Sequence, residues 1–153
     1  MGDASAFPLV TMAHLVLLAM WGGVVATEAV LEVASYRRSE LAEATSRFHY
    51  WIDLLVELPV VLGVLVTGIT AAILADHLTR PHAVKLSFAG LAVAVNLFCI
   101  AVVLRRDRLR LAGAPADRLH RLSRIVLTCF AVGLLCAAVA AALGFSFALG
   151  RVG

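Results

Sequence analysis

Four long apolar segments separated by short polar ones dominate the pattern of hydrophobic and polar positions along the chain. They lie at about residues 8–33, 54–75, 82–104 and 125–149. Each has the roughly 20 residues that a helix needs to cross the hydrocarbon core of a bilayer. The pattern predicts an all-α integral membrane protein, in which residues 1–153 form one antiparallel bundle of four transmembrane helices.

The composition agrees with this prediction. The 153 residues are 62% hydrophobic and 15% charged, whereas soluble domains are nearer half apolar and a quarter charged. The net charge of +3 does not indicate nucleic-acid binding, because the arginines cluster in or beside the first and third loops. Elsewhere the only basic residues are Arg80, Lys85 and Arg151. The positive-inside rule therefore predicts that these two loops are cytoplasmic and that both termini lie outside.

A stripe of ionisable side chains enters the second apolar segment. In "HYWIDLLVE", His49, Asp53 and Glu57 stand four residues apart, so on a helix they share one face. Glu28 and Glu32 have the same spacing in the first segment. In an antiparallel hairpin Glu28 is level with Glu57, and Glu32 is level with Asp53. The spacing thus predicts two facing pairs of carboxylates, with His49 one turn further out.

Charged side chains in hydrocarbon cost at least about 2.5 kcal/mol each, which makes these residues functional candidates. Facing carboxylates cannot all stay ionised unless a cation, a proton or an arginine compensates them. Carboxylates and a histidine on facing bundle helices are typical metal ligands. Three interpretations stay open: a metal centre, pairing with arginines or a shared proton, and a solvated helix end. The candidate metal ligands are Glu28, Glu32, His49, Asp53 and Glu57.

A second polar group lies in the opposite leaflet. His14 is about 9 Å into the first helix, His82 and Lys85 stand near the start of the third, and His77 lies in the turn between helices two and three. A neutral imidazole inside a bundle can ligate haem or copper. Lys85 can bind an anionic propionate or extend to water. The alternative for His14 is a hydrogen bond to a neighbouring helix.

Three further residues have more ordinary expectations. We interpret Trp21, two turns deeper than His14, as a packing residue or the wall of a cofactor site. Asn96, deep in the third helix, is expected to form an interhelical hydrogen bond. Pro59 removes a backbone donor, so we expect it to kink the second helix.

Three short motifs resemble those of a known superfamily. "HLVLLAMWGG", from His14 to Gly23, resembles the H-x6-W-x-G opening helix of two related groups. These are the membrane domain of copper-resistance protein D and the HemJ-type integral-membrane protoporphyrinogen oxidases. "LPVVLGVLVTG" is similar to their second helix, and "HAVKL", from His82 to Leu86, is similar to the H-x-x-K-L of the oxidase family's third helix.

The resemblance implies a four-helix bundle in which His14 is a haem axial ligand and Lys85 a functional partner. The implied cofactor is haem b or a transition metal (iron or copper), and the implied activity is oxidation of protoporphyrinogen or handling of copper. After Trp21 the chain lacks the proline and arginine of the oxidase pattern and supplies Glu28 and Glu32 instead. We therefore expect a relative with its own inner-leaflet site.

The favoured function is a metal- or haem-binding, redox-related protein of the bacterial inner membrane, with membrane oxidoreductase activity left open. Its carboxylate–His cluster would bind metal, and His14, Lys85 and His82 would bind a cofactor. The alternatives are a copper-like metal-ion transporter and a non-enzymatic assembly subunit whose carboxylates pair with arginines. The expected partner is the lipid bilayer, with a homo-oligomer or another membrane subunit left open.

Overall fold

The computed structural model describes residues 6–75 and 79–148, and it confirms the predicted all-α four-helix bundle. His77, in the predicted turn, lies outside the described residues. A short 3-10 turn precedes the second span, and a π-helical turn at Asp53–Glu57 divides that span into two α-helices. The α-helices of the described chain are α1 (Ala6–Arg37), α2 (Ala42–Ile52), α3 (Leu58–Leu74), α4 (Arg80–Leu111) and α5 (Ala116–Ala148).

All four spans are longer than the apolar segments that predicted them. α1 and α4 have 32 residues each, which is about 48 Å of helix against a hydrocarbon core of about 30 Å. The additional residues lie mainly at one end of the bundle, where α1 and α4 finish and α2 and α5 begin. We call this the arginine-rich end. The segments long and apolar enough to cross a membrane are Phe7–Arg37, Ala42–Leu74, Arg80–Leu111 and Ala116–Ser146.

The loop between the last two spans is shorter than the polar segment that separates their apolar stretches, because α4 ends at Leu111 and α5 begins at Ala116. The backbone of Gly113 has a φ of 72°, a conformation that glycine adopts without strain. Its N–H donates to the carbonyl of Arg110, and the N–H of Ala114 donates to the carbonyl of Leu109, each at 3.0 Å. This pair of bonds is a Schellman motif, which ends a helix in a tight turn. α4 and α5 therefore continue almost to the turn and pack along each other.

The buried core is apolar in the middle of the bundle, and towards the arginine-rich end buried polar residues lie beside apolar ones. Val61 and Ala92 are among the most completely buried apolar residues, and Trp21 packs with them. Many of the exposed side chains along the spans are large and apolar, as lipid-facing side chains are. The buried polar residues are Glu28, Glu32, Thr45, Ser46, His49, Asp53, Glu57, Asn96, Arg106 and Asp107.

The sequence predicted a kink at Pro59, and the structure has a π turn directly before the helix that contains this proline. Proline has no N–H, and in a regular α-helix its ring crowds the carbonyl four residues earlier. Here the N–H of Leu58 donates to the carbonyl of Asp53, five residues back, which widens the turn just before the proline. π turns are rare and frequently occur at functional sites. This one begins at Asp53 and ends at Glu57, two of the predicted site residues.

Candidate functional site

Three carboxylates from two spans meet inside the bundle. Glu28 of α1 and Asp53 and Glu57 of the π turn each offer an oxygen atom within 4.8 Å of the other two. These residues are only 1–2% exposed. Within the part of the chain that the structure describes, they form the one group of three or more side chains placed to share a metal ion. We call them the carboxylate triad, and they confirm the predicted contact of Glu28 with Glu57.

Asp53 joins the triad because of the π turn. A regular hairpin places Asp53 level with Glu32, one turn away from Glu57. In the π turn each hydrogen bond closes over five residues rather than four, so Asp53 lies less far along the axis from Glu57 than in an α-helix. This places the Asp53 carboxylate with Glu28 and Glu57.

Trp21 and Asn96 border the triad on the side of the apolar core. The indole N–H of Trp21 donates to Glu57 Oε1 at 3.3 Å and to Asn96 Oδ1 at 3.4 Å. Trp21 therefore packs in the core, as predicted, and also positions a carboxylate, which the sequence did not indicate. The interhelical hydrogen bond expected of Asn96 is confirmed, since it connects α4 to α1.

The triad has hydrogen-bonding atoms that the described residues do not use. Glu28 Oε1 and Asp53 Oδ2 are buried and accept no hydrogen bond from them, and the buried Nδ2 of Asn96 donates none. Buried polar atoms nearly always have partners, and a buried carboxylate needs a compensating charge. These unpaired oxygens point to a cation or protons between the carboxylates.

Glu32, one turn closer to the arginine-rich end, has a different environment. Arg106 of α4 donates from Nη1 to Glu32 Oε1 at 2.6 Å, and the two side chains are 5% and 0% exposed. The same Nη1 also donates to Ser123 Oγ of α5 at 3.0 Å. Glu32 was predicted to pair with Asp53, but it pairs with Arg106 instead. For this carboxylate the arginine interpretation is the one that the structure supports.

His49 lies between the triad residue Glu28 and the Glu32–Arg106 ion pair. Its Nε2 lies 3.1 Å from the backbone carbonyl oxygen of Glu28, so this nitrogen carries a proton and donates it. Its Nδ1 lies 3.3 Å from Glu32 Oε2 and 3.3 Å from Arg106 Nη2. Both ring nitrogens are thus engaged by protein atoms. The structure places His49 with Glu32, Arg106 and Ser123, a set that we call the arginine cluster.

At the opposite end of the bundle, His14 makes the interhelical hydrogen bond that was its alternative interpretation. The Thr67 hydroxyl donates to the carbonyl of Gly63 at 2.7 Å, so it accepts from His14 Nδ1 at 2.9 Å. Gly68 allows the ring to pack on α3, because a Cβ there would lie 3.1 Å from His14 Cε1. The lone pair of His14 is therefore on Nε2.

The other two residues predicted for this site lie on α4. The side chain of Lys85 packs on α5, where a Cβ at Gly144 would lie 3.5 Å from Nζ. His82 stands in the first turn of α4, with Nδ1 2.8 Å from Thr79 Oγ1. The structure places Lys85 against α5 and His82 at the start of α4.

Arg106 is the site residue that the sequence did not single out from its neighbouring arginines. The register of α1 and α4, which run parallel, could have identified Arg106 as the partner of Glu32. Trp21 and Asn96 are 75 residues apart, and Glu32 and Arg106 are 74 apart. Because parallel helices keep a nearly constant offset, one of these contacts is enough to predict the other.

Comparison of the chain with protein-family models, with curated proteins and with solved structures finds no match. The resemblance to copper-resistance protein D and to HemJ-type oxidases therefore stays a prediction. The geometry of the triad and of the arginine cluster is the basis for assigning a function.

Proposed function

We propose that this integral membrane protein binds a hard divalent metal ion at the carboxylate triad. The observation that carries the proposal is three buried carboxylates whose oxygens lie within 4.8 Å of one another. Two oxygens of these carboxylates, Glu28 Oε1 and Asp53 Oδ2, accept no hydrogen bond from the described residues. A bound ion would supply the positive charge that these groups otherwise lack.

The ligand set favours one class of metal. His49 has both ring nitrogens engaged elsewhere, which leaves an all-oxygen set from Glu28, Asp53 and Glu57. Carboxylate oxygens suit Mg²⁺, Ca²⁺ and Mn²⁺, whereas copper and haem iron favour imidazole or sulfur. The proposal therefore replaces the expected iron or copper at this position with a harder ion.

The protein's part is to hold the three carboxylates in place. Glu28 comes from α1 and the other two from the π turn, so an ion would connect the first two spans. The indole N–H of Trp21 fixes Glu57, and the His49 ring donates to the backbone of Glu28. Such supporting bonds orient metal ligands, and their loss typically weakens metal binding about 10–100-fold.

Mn²⁺ is a suitable probe because its free and bound forms differ by electron paramagnetic resonance. Purified protein in detergent, stripped with a chelator, is expected to bind one Mn²⁺ per chain. Glu28→Gln and Asp53→Asn should weaken binding by about tenfold or more, because each removes a ligand. Glu43→Gln is the matched control, since Glu43 is 84% exposed and lies outside the triad. Absence of stoichiometric binding, or equal binding by all variants, would remove the proposal.

A transport function is less well supported than a resident site. Between the triad and His14 lies the apolar core, in which Val61 and Val64 are buried. Among the described residues this core offers an ion no polar step towards the opposite end. Vesicles containing the protein should accordingly show no net Mn²⁺ movement across the bilayer, and measurable flux would favour the transporter.

A second candidate function, haem or transition-metal ligation, has one observation behind it. Thr67 fixes the tautomer of His14 so that Nε2 carries a lone pair, the form in which imidazole binds a metal. A visible spectrum of the purified protein tests this directly. A haem band that His14→Ala abolishes, with Mn²⁺ binding retained, would establish a second and independent site.

A further inference from the structure

We propose that Glu32 holds the guanidinium group of Arg106 away from the carboxylate triad, and that Arg106 competes with the metal ion when this contact is broken. The inference rests on the proposed function, because competition has a meaning only if the triad binds a cation. It makes Glu32 a positioning residue and Arg106 a built-in inhibitory cation.

The guanidinium group lies close to the triad. Arg106 Nη1 bonds to Glu32 Oε1 at 2.6 Å, and its Nη2 is 3.3 Å from His49 Nδ1. The opposite edge of the same imidazole donates to the backbone carbonyl of Glu28. One histidine ring therefore separates the guanidinium group from the backbone of a triad residue.

The direction of α4 also favours this movement. Side chains tilt towards the N-terminus of their helix, and α4 runs towards the arginine-rich end, so the Arg106 side chain leans back towards the triad. Using the offset between α1 and α4, Glu28 is level with Val102 and Val103, one turn before Arg106. The Nε of Arg106 is buried and has no partner among the described residues. Among the described residues, Glu32, Ser123 and His49 are the groups that hold the guanidinium where it is.

The chemistry leaves Arg106 few alternatives. A guanidinium group does not lose its proton in a protein, and a buried one needs a carboxylate. If Glu32 becomes neutral, Glu28 Oε1 and Asp53 Oδ2 remain as buried acceptors without a partner among the described residues. Bidentate pairing of arginine with such a carboxylate is geometrically favourable. A triad that holds a guanidinium group has less negative charge to offer a metal ion.

The experiment measures the Mn²⁺ dissociation constant of purified protein in detergent for four chains. These are the wild type, Glu32→Gln, the double variant Glu32→Gln/Arg106→Gln, and the control Glu43→Gln. We expect Glu32→Gln to weaken Mn²⁺ binding by about tenfold, which is within the usual coupling of neighbouring charged residues. The double variant should return to within about threefold of the wild type, because the competitor has been removed with its restraint. Glu43→Gln should bind as the wild type does.

Rescue by the second substitution separates this proposal from a merely structural role of Glu32. If Glu32 only supported the site, the double variant would bind as weakly as Glu32→Gln or more weakly, and the proposal would be overturned. An unchanged dissociation constant in Glu32→Gln would overturn it as well. Absence of Mn²⁺ binding in the wild type would instead remove the proposed function.

A conservative variant covers the case in which Glu32→Gln does not fold. Glu32→Asp keeps the negative charge but shortens the side chain, which loosens the 2.6 Å contact with Arg106. It should weaken Mn²⁺ binding by about two- to fivefold, a smaller coupling of the same sign. Adding Arg106→Gln should again restore the affinity, and failure to restore it would contradict the proposal.

Discussion

Replacing Arg106 by glutamine tests whether the arginine cluster stabilises the fold. Glu32 is 0% exposed, and Arg106 is its one fully charged partner among the described residues. The substitution leaves a carboxylate in a low-dielectric interior with a histidine ring and no guanidinium group. A buried charge that loses its partner is strongly destabilising, because its desolvation is no longer compensated.

The expected magnitude follows from the contact distance. At 2.6 Å and an effective dielectric constant of about 20, two unit charges attract by about 6 kcal/mol. Relief of the desolvation of the guanidinium group offsets part of this, so Arg106→Gln should lower the free energy of unfolding by about 3–5 kcal/mol. The double variant Glu32→Gln/Arg106→Gln should recover most of the loss, since neither charge is then buried alone.

Unfolding by a denaturing detergent in mixed micelles, followed by far-ultraviolet circular dichroism, measures this loss. The control is Arg121→Gln, which breaks an ion pair with Asp117 whose side chains are 65% and 73% exposed. Exposed pairs of this kind contribute about 0–1 kcal/mol. A cost for Arg106→Gln no larger than that of Arg121→Gln would refute the reasoning, as would a double variant as unstable as the single one.

Three further substitutions have defined outcomes. Asp53→Asn should abolish the increase in the free energy of unfolding that Mn²⁺ gives the chelator-treated protein, because it removes one of the three proposed ligands. Gly68→Ala should lower the free energy of unfolding by about 1–3 kcal/mol, since the new Cβ would lie 3.1 Å from His14 Cε1. An unchanged melting temperature would contradict this packing of His14 on Gly68. Trp21→Phe should lower the free energy of unfolding by about 1–3 kcal/mol, because Glu57 loses its hydrogen bond from the indole N–H; the same denaturation measures this loss.

The sequence was sufficient for the architecture and for one contact of the site. Apolar segments of spanning length define four helices. In an antiparallel pair of helices the residue numbers of facing positions add up to the same total, which places Glu28 against Glu57. That argument treated two helices at a time. The partner of Glu32 comes from α4, so a reading of the first hairpin alone could not find Arg106.

The remaining differences come from backbone irregularity and from hydrogen bonding. Pro59 was recognised as a perturbation, but its consequence, a π turn that moves Asp53 towards Glu28, depends on how the helix relaxes. The spacing placed His49 on the correct face. Which atoms its two nitrogens contact depends on the Glu28 backbone and the Arg106 side chain, and spacing does not specify these.

The contrast between Glu28 and Glu32 is the strongest argument that the triad has a purpose. They are one turn apart on α1 and equally buried, so depth does not explain why only Glu32 has an arginine. The difference lies in the facing residues of α4. The offset that brings Arg106 to Glu32 brings Val102 and Val103 to the level of Glu28. The basic residues of α4 near this end begin only at Arg105, beyond the triad. Described side chains compensate the charge of Glu32 and leave the three carboxylates of the triad without a cationic partner, which supports the proposed cation site.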